Sequence, residues 1–247
     1  MIKLNYVPKP IRLTDEFVEE LTELYKNKDK NVWNKPFIKE QLIEMSANKC
    51  CYCECNVAEE SKYMEVEHFF PKSIYPDLVI KWTNLLPSCK RCNGSKGNHD
   101  TGTEPIIHPV ENIPSEHLTF KLYRLYGKST LGKTTIDVLK LNDRTRLVLK
   151  RALIGDELIE QLDNLQDELE NYLIDFTPKK QRKIAKILKN LMLLAIPSSE
   201  YSATMATVLL HNESYKIIKS ALTQYRLWDD SFKEVEEQIK LCQLPLK

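Results

Sequence analysis

Glu65-Val66-Glu67-His68-Phe69-Phe70-Pro71-Lys72, framed by Cys50-Cys51-Tyr52-Cys53 before it and Cys89-Lys90-Arg91-Cys92-Asn93 after it, is the stretch on which the reading of this chain turns. Two residues between paired thiols let one tight turn aim both sulfurs at a single tetrahedral ion, and two such pairs complete a closed, structural site. Cys50, Cys53, Cys89 and Cys92 are therefore the expected ligands of a structural zinc. Cys51 and Cys55 offer a competing pair, with Cys50 and Cys53 favoured. Of the seven cysteines only Cys242 stands apart, and buried free thiols would not cluster twice at matched spacing.

Outward from this stretch, composition sets the limits. With 42% hydrophobic and 29% charged residues and six glycines, the 247-residue chain has the balance of an ordered globular protein. Its 36 Lys and Arg against 35 Asp and Glu leave a formal charge of +1, so any phosphate-binding surface must be local. No window approaches the roughly 18 consecutive apolar residues of a membrane span, and Met1 to Pro10 lack the apolar core of a signal peptide. A cytoplasmic protein with no membrane partner is expected, and in that reducing compartment clustered cysteines point to metal rather than disulfides.

Periodicity places helices on both sides of the cysteine-bounded segment. Thr14 is the expected N-cap of a helix to Tyr25, with acids in its first turns and Phe17, Leu21 and Leu24 on one stripe. Pro36 opens a second helix with Phe37, Leu42 and Ile43 on its apolar face. From Cys50 to Asn98 the pattern breaks into short pieces. Lys121 to Tyr126 reads as a short strand, and after Asn142-Asp143 the chain reads as long helices: Arg144 to Tyr172, Pro178 to Ala195 behind the cap Thr177, Glu200 to Leu222, and Phe232 to Leu241. Stripes such as Ile159, Leu162, Leu165, Leu169 and Ile184, Ile187, Leu191, Leu194 are expected bundle core. The expected fold is α+β, predominantly α, in three parts: an N-terminal helical segment 1–47, a small zinc-stabilised module 48–103, and a linker with a C-terminal helical bundle 104–247.

The module resembles the HNH, or ββα-metal, nucleases. An acid and a histidine followed by proline (Glu67, His68, Pro71), then Asn84-Leu85, then Cys89-x-x-Cys92-Asn93-x-x-Lys96 match that pattern inside one zinc frame. The resemblance implies His68 as general base on a water aimed at a phosphodiester, Glu67 and Asn93 as holders of one catalytic Mg²⁺ or Mn²⁺, and Asn84 as the residue that orients His68. Lys72, Lys90, Arg91 and Lys96 are candidate phosphate contacts. Two positions depart from the common pattern: Glu67 stands where Asp is usual, and Asn93 where the third letter of the name would be His. Because neighbouring strand residues face opposite sides, Glu67 and His68 can share a site only where the strand bulges or ends.

Gly127-Lys128-Ser129-Thr130-Leu131-Gly132-Lys133-Thr134 matches the phosphate-loop expression letter for letter. It is rejected, because the strand before it is broken by Lys121 and Arg124 and nothing downstream supplies the buried strands of a parallel sheet; a polar hairpin or loop is expected instead. Over roughly residues 1 to 151 the layout also resembles a narrower family, the HNH subunits (PtuB) of Septu-type and retron-associated anti-phage systems, through Cys50-Cys51-Tyr52-Cys53-Glu54, the run Glu67 to Ser73, Tyr75-Pro76, Trp82 to Leu86, Thr135-Ile136, Leu141-Asn142-Asp143 and Arg151. That resemblance implies a nuclease acting on nucleic acid, DNA ahead of RNA, with a separate ABC/SMC-like ATPase subunit, PtuA. A stand-alone restriction-type nuclease and a non-catalytic zinc-binding interaction module are the competing readings.

Overall fold

Thr14 begins the first helix as its hydroxyl accepts from the backbone N–H of Phe17 at 3.2 Å, and the acids Asp15 and Glu16 sit in the first turn. The structure, a computed structural model, describes residues 1–28, 31–58 and 63–247. In it α1 spans Asp15–Lys28 and α2 spans Pro36–Ser46. The buried stripe of α2 is Ile38, Leu42 and Met45, while Phe37 and Ile43, expected on that face, are half-exposed.

Between these helices and the next lies an antiparallel hairpin of β1 (Met64–His68) and β2 (Leu85–Cys89), running directly into the short helix α3 (Lys90–Lys96). Register pairs Met64 with Cys89, Glu67 with Leu86 and His68 with Leu85. Pro87 sits within β2 opposite Val66; lacking an N–H, it gives its carbonyl to the N–H of Cys51 at 2.9 Å, so the first cysteine turn docks on the hairpin. Single 3₁₀ turns at Pro76–Leu78 and Trp82–Asn84 fold the long connection back on itself.

The chain continues through α4 (Pro114–His117), a second two-stranded sheet of β3 (Leu118–Lys121) and β4 (Arg124–Gly127), and α5 (Thr130–Val138). The segment read as a polar loop is therefore partly helical: Ser129 caps α5 by accepting from Gly132 N. Gly132 is needed for a close approach, since a Cβ there would lie 2.1 Å from the His117 carbonyl oxygen. Phosphate binding is not required to explain the glycine.

A π-helical turn, Arg144–Val148, capped by Asp143, leads into α6 (Leu149–Tyr172); α7 (Pro178–Leu193), α8 (Ser202–His211), α9 (Glu213–Gln224) and α10 (Asp230–Lys240) complete the chain. Thr177 caps α7 as expected. The single helix expected from Glu200 to Leu222 is divided at Asn212, whose side chain accepts from Tyr215 N at 2.9 Å and starts α9. The chain forms two compact units: Met1, Lys3–Leu118 and Tyr126–Asn142 in one, and Ile2, Thr119–Leu125 and Asp143–Lys247 in the other. The first holds both cysteine pairs and the β1–β2 hairpin. The second is a helical assembly in which α6 buries Leu158, Leu162, Leu165 and Leu169 and α7 buries Ile184, Leu188, Leu191 and Met192.

Candidate functional site

The thiol sulfurs of Cys50, Cys53, Cys89 and Cys92 lie within 4.8 Å of one another. Zinc–sulfur bonds of about 2.3 Å in a tetrahedron separate sulfurs by about 3.8 Å, and Cys53 Sγ lies 3.8 Å from Cys89 Sγ. The cluster therefore fits zinc with no rearrangement of scale. Cys50, Cys53 and Cys92 are buried. Burial opposes ionising Cys50, yet hydrogen bonds from Cys51, Cys53, Cys55 and Cys89 hold its thiol well below its ordinary range, while hydrogen bonding with Cys50 holds the Cys53 and Cys92 thiols well above theirs. Of the competing pair, Cys51 is buried outside this set, and the half-exposed Cys55 touches Cys50, Cys53 and Cys89 from the side. Cys89 closes β2 and its sulfur accepts from Cys92 N at 3.4 Å, so the second pair forms the junction of strand and helix.

His68 ends β1, 5% exposed. Its Nε2 lies 3.0 Å from the carbonyl oxygen of Val79. A carbonyl can only accept, so Nε2 carries the proton and, in the neutral ring, Nδ1 keeps its lone pair. Burial drives the His68 pKa down to about 3, with the nearby Lys72 charge adding to the effect. Trp33 stands edge to face with the imidazole, ring centroids 4.9 Å apart, and carries the Lys72 ammonium over its ring at 4.7 Å.

Asn84 acts through three hydrogen bonds: its Oδ1 accepts from Phe70 N at 2.7 Å, and its Nδ2 donates to the Phe70 and Leu78 carbonyls at 3.1 and 3.0 Å. Fully enclosed, it ties the exit of β1 to the turn that supplies Val79, next to both ends of the His68 hydrogen bond.

Glu67 and Glu65 alternate with His68 along β1 and meet α3. Glu67 Oε1 lies 2.7 Å from Lys96 Nζ, both side chains almost without solvent. Burial pushes the Glu67 carboxyl up to about 7 against the pull of Lys96. Lys96 also donates to the His68 carbonyl at 2.8 Å, which makes it an internal brace rather than an exposed phosphate contact. Asn93 Nδ2 donates to Glu65 Oε2 at 2.8 Å; the acid it touches is Glu65, two residues before the one expected to share an ion with it. Lys90 and Arg91 are exposed on α3 and Lys72 is half-exposed.

Glu65, Val79 and Trp33 were not singled out from the sequence. The sequence marks Glu65 by its i, i+2 relation to Glu67, which puts both on one face of the strand. Val79 contributes only its backbone, and Trp33 arrives from the α1–α2 connection, so neither carries such a mark.

Among the described residues, a mostly helical α+β chain with a hairpin, a short helix and a four-thiol cluster of metal-binding geometry is the class of protein that fold and site define. No family model matches it. Over 231 residues it is 47% identical to Septu protein PtuB of Bacillus thuringiensis, covering 93% of this chain and 90% of that protein. The chain belongs to the Septu PtuB family. A second Septu protein PtuB, from Bacillus mycoides (strain KBAB4), is 30% identical over 64% of this chain and 65% of its own length. Protein ea31 of Escherichia phage lambda is 33% identical over 95 residues, 36% of this chain and 30% of that protein.

Proposed function

We propose that this chain is a metal-dependent HNH-type endonuclease, hydrolysing phosphodiester bonds of nucleic acid, DNA ahead of RNA, as the effector subunit of a bacterial anti-phage system with an ABC/SMC-like ATPase (PtuA-like) partner. It acts in the cytoplasm, and its catalytic module is the segment 48–103 flanked by helices. The observation that carries the reading is the His68–Val79 hydrogen bond, which fixes the tautomer a general base requires.

In this mechanism His68 Nδ1 takes a proton from a water as the water oxygen bonds to phosphorus and the phosphodiester P–O bond breaks, while Val79 holds the ring. Asn84 keeps the Val79 turn and the end of β1 in register. The carboxylates of Glu67 and Glu65 and the Asn93 amide oxygen are donors of the kind a hard divalent cation takes, and Glu67 and Asn93 are the proposed holders of Mg²⁺ or Mn²⁺. Such an ion offsets charge on the phosphate and leaving oxygen when bound. Lys72, Lys90 and Arg91 contact the phosphates, and Lys96 braces Glu67. Zinc held by Cys50, Cys53, Cys89 and Cys92 would leave no position for substrate and would supply rigidity alone.

The 5% exposure of His68 and the engaged Glu67 side chain favour a second reading, a non-catalytic zinc module that bridges partners. Cleavage of duplex DNA, single-stranded DNA and RNA with added Mg²⁺ or Mn²⁺, by wild type and His68→Ala, each with and without the candidate ATPase, separates the two. The nuclease reading expects cutting by wild type and none by the variant. Absence of cutting under every condition leaves the bridging module. Cutting without the ATPase marks a stand-alone nuclease.

A further inference from the structure

α7 reads Pro178-Lys179-Lys180-Gln181-Arg182-Lys183-Ile184-Ala185-Lys186-Ile187-Leu188-Lys189-Asn190-Leu191-Met192-Leu193: six cations and no acid, in a protein of nearly zero net charge. Lys179, Arg182, Lys183 and Lys186 fall at i, i+3, i+4 and i+7 and are all exposed, on the face opposite the buried Ile184, Leu188 and Leu191. The two flanking cations are engaged within the unit. Lys180 reaches Asp175 at 3.4 Å and lies over the Tyr172 ring, and Lys189 donates to Ser231 at 2.7 Å. Lys183 pairs with Glu168. Among the described residues no carboxylate comes within ion-pair distance of Lys179, Arg182 or Lys186.

This arrangement works against the helix that carries it. Cations in the first turns meet the positive end of the helix dipole, where acids are favoured, and the pairs Lys179/Lys183 and Arg182/Lys186 set like charges one turn apart. Pairing within the unit accounts for Lys180, Lys183 and Lys189, but among the described residues it leaves Lys179, Arg182 and Lys186 uncompensated, and a polyanion would compensate them. Seven residues of helix span about 10 Å, long enough for the stripe to meet more than one phosphate of a nucleic-acid backbone at once.

We propose that the exposed face of α7, through Lys179, Arg182, Lys183 and Lys186, is a phosphate-backbone contact by which the second unit holds nucleic acid without reading sequence. Nucleic acid as ligand follows from the nuclease reading above; the surface and its test do not need cleavage. Binding of a fluorescent 30-base-pair duplex to the full zinc-loaded chain is measured by anisotropy across a salt series, without Mg²⁺ or Mn²⁺. Three proteins are compared: wild type, Lys179→Gln/Arg182→Gln/Lys183→Gln/Lys186→Gln, and a charge-matched control, Lys150→Gln/Lys216→Gln/Lys233→Gln/Lys240→Gln. The α7 variant should bind at least tenfold more weakly at 100 mM salt, and its slope of log K against log salt should flatten by about 3. The control should keep the wild-type slope, and circular dichroism should show undiminished helix in the α7 variant, since like-charge pairs are removed.

No binding by wild type, equal losses in both variants, or competition by polyglutamate as strong as by DNA would overturn the proposal, the last marking an acidic protein as the partner. If the duplex binds through α7 but is never cut in the cleavage assay, the nuclease reading fails and this one stands.

Discussion

Lys96 Nζ and Glu67 Oε1 are 2.7 Å apart with 1% and 2% of their side chains exposed, an ion pair wholly inside the protein that joins α3 to β1. Removing one partner of such a pair strands the other charge, at a cost of about 3–5 kcal/mol, while replacing both by apolar groups is often near neutral. Lys96→Met should therefore lower unfolding free energy by up to that amount in urea titrations, most above pH 7 where Glu67 would otherwise be ionised, and Lys96→Met/Glu67→Leu should recover most of it. A double variant as unstable as the single one would show that the Lys96 bond to the His68 carbonyl carries the stability instead.

The thiol geometry bears on metal content. One zinc per chain is expected by metal analysis, lost in Cys53→Ser and Cys92→Ser and kept in Cys242→Ser. Cys55→Ser should also keep it, since that sulfur lies outside the converging four. Loss of zinc on replacing Cys55 would mean that the competing pair had been chosen.

Asn84→Ala deletes three hydrogen bonds and leaves the Phe70 N–H and carbonyl without these partners, while the Leu78 carbonyl keeps the Lys81 N–H. At about 1–3 kcal/mol for an unsatisfied buried group, destabilisation of several kcal/mol is expected by denaturant titration, with nuclease activity falling further than folded fraction because His68 loses its frame. Parallel loss of both would make Asn84 a purely structural residue.

Acidity should act on His68 and Glu67 in opposite directions. Burial holds folded His68 near 3, below the ordinary 6.5, so the unfolded chain takes up a proton first as pH falls. The stabilisation is complete above 6.5 and is lost progressively towards 3. Glu67, raised to about 7 by burial, binds its proton earlier in the folded state and gains stability as pH falls from 7 to 4.5. The two trends mask each other in wild type. The difference in unfolding free energy between wild type and His68→Asn isolates the first, and should shrink by up to about 1.4 kcal/mol per pH unit between 6 and 4. A difference that stays flat would mean that water reaches the ring.

Local signals proved legible where a side chain acts on its own backbone neighbours. Thr14, Asp143 and Thr177 cap the helices they precede, and the paired cysteines converge at their expected spacing. Burial stripes shifted by one position where two apolar residues adjoin: Leu158 rather than Ile159, and Leu188 rather than Ile187, turn inward. Gly132, in the stretch expected to be a polar hairpin or loop, instead lies in α5 and admits the His117 carbonyl against that helix. Least legible were contacts across long sequence separations. Trp33 against His68 and the Val79 carbonyl against the same ring arise from chain crossings that leave no spacing rule in the sequence.

Gly155 lies inside α6, where a Cβ would come within 2.4 Å of the Tyr123 ring, and the Tyr123 hydroxyl bonds Asp156 in the next position. The turn that presents this ring, Leu122-Tyr123, is left-handed at both residues, with φ of 47° and 61°, in a place where asparagine and glycine would be comfortable. The tyrosine is thus pressed into a notch that a side chain at Gly155 would fill. Replacing the turn by Asn-Gly would relax the backbone and yet leave an empty socket in the long helix, so the variant an engineer would choose for comfort is the one expected to loosen the joint.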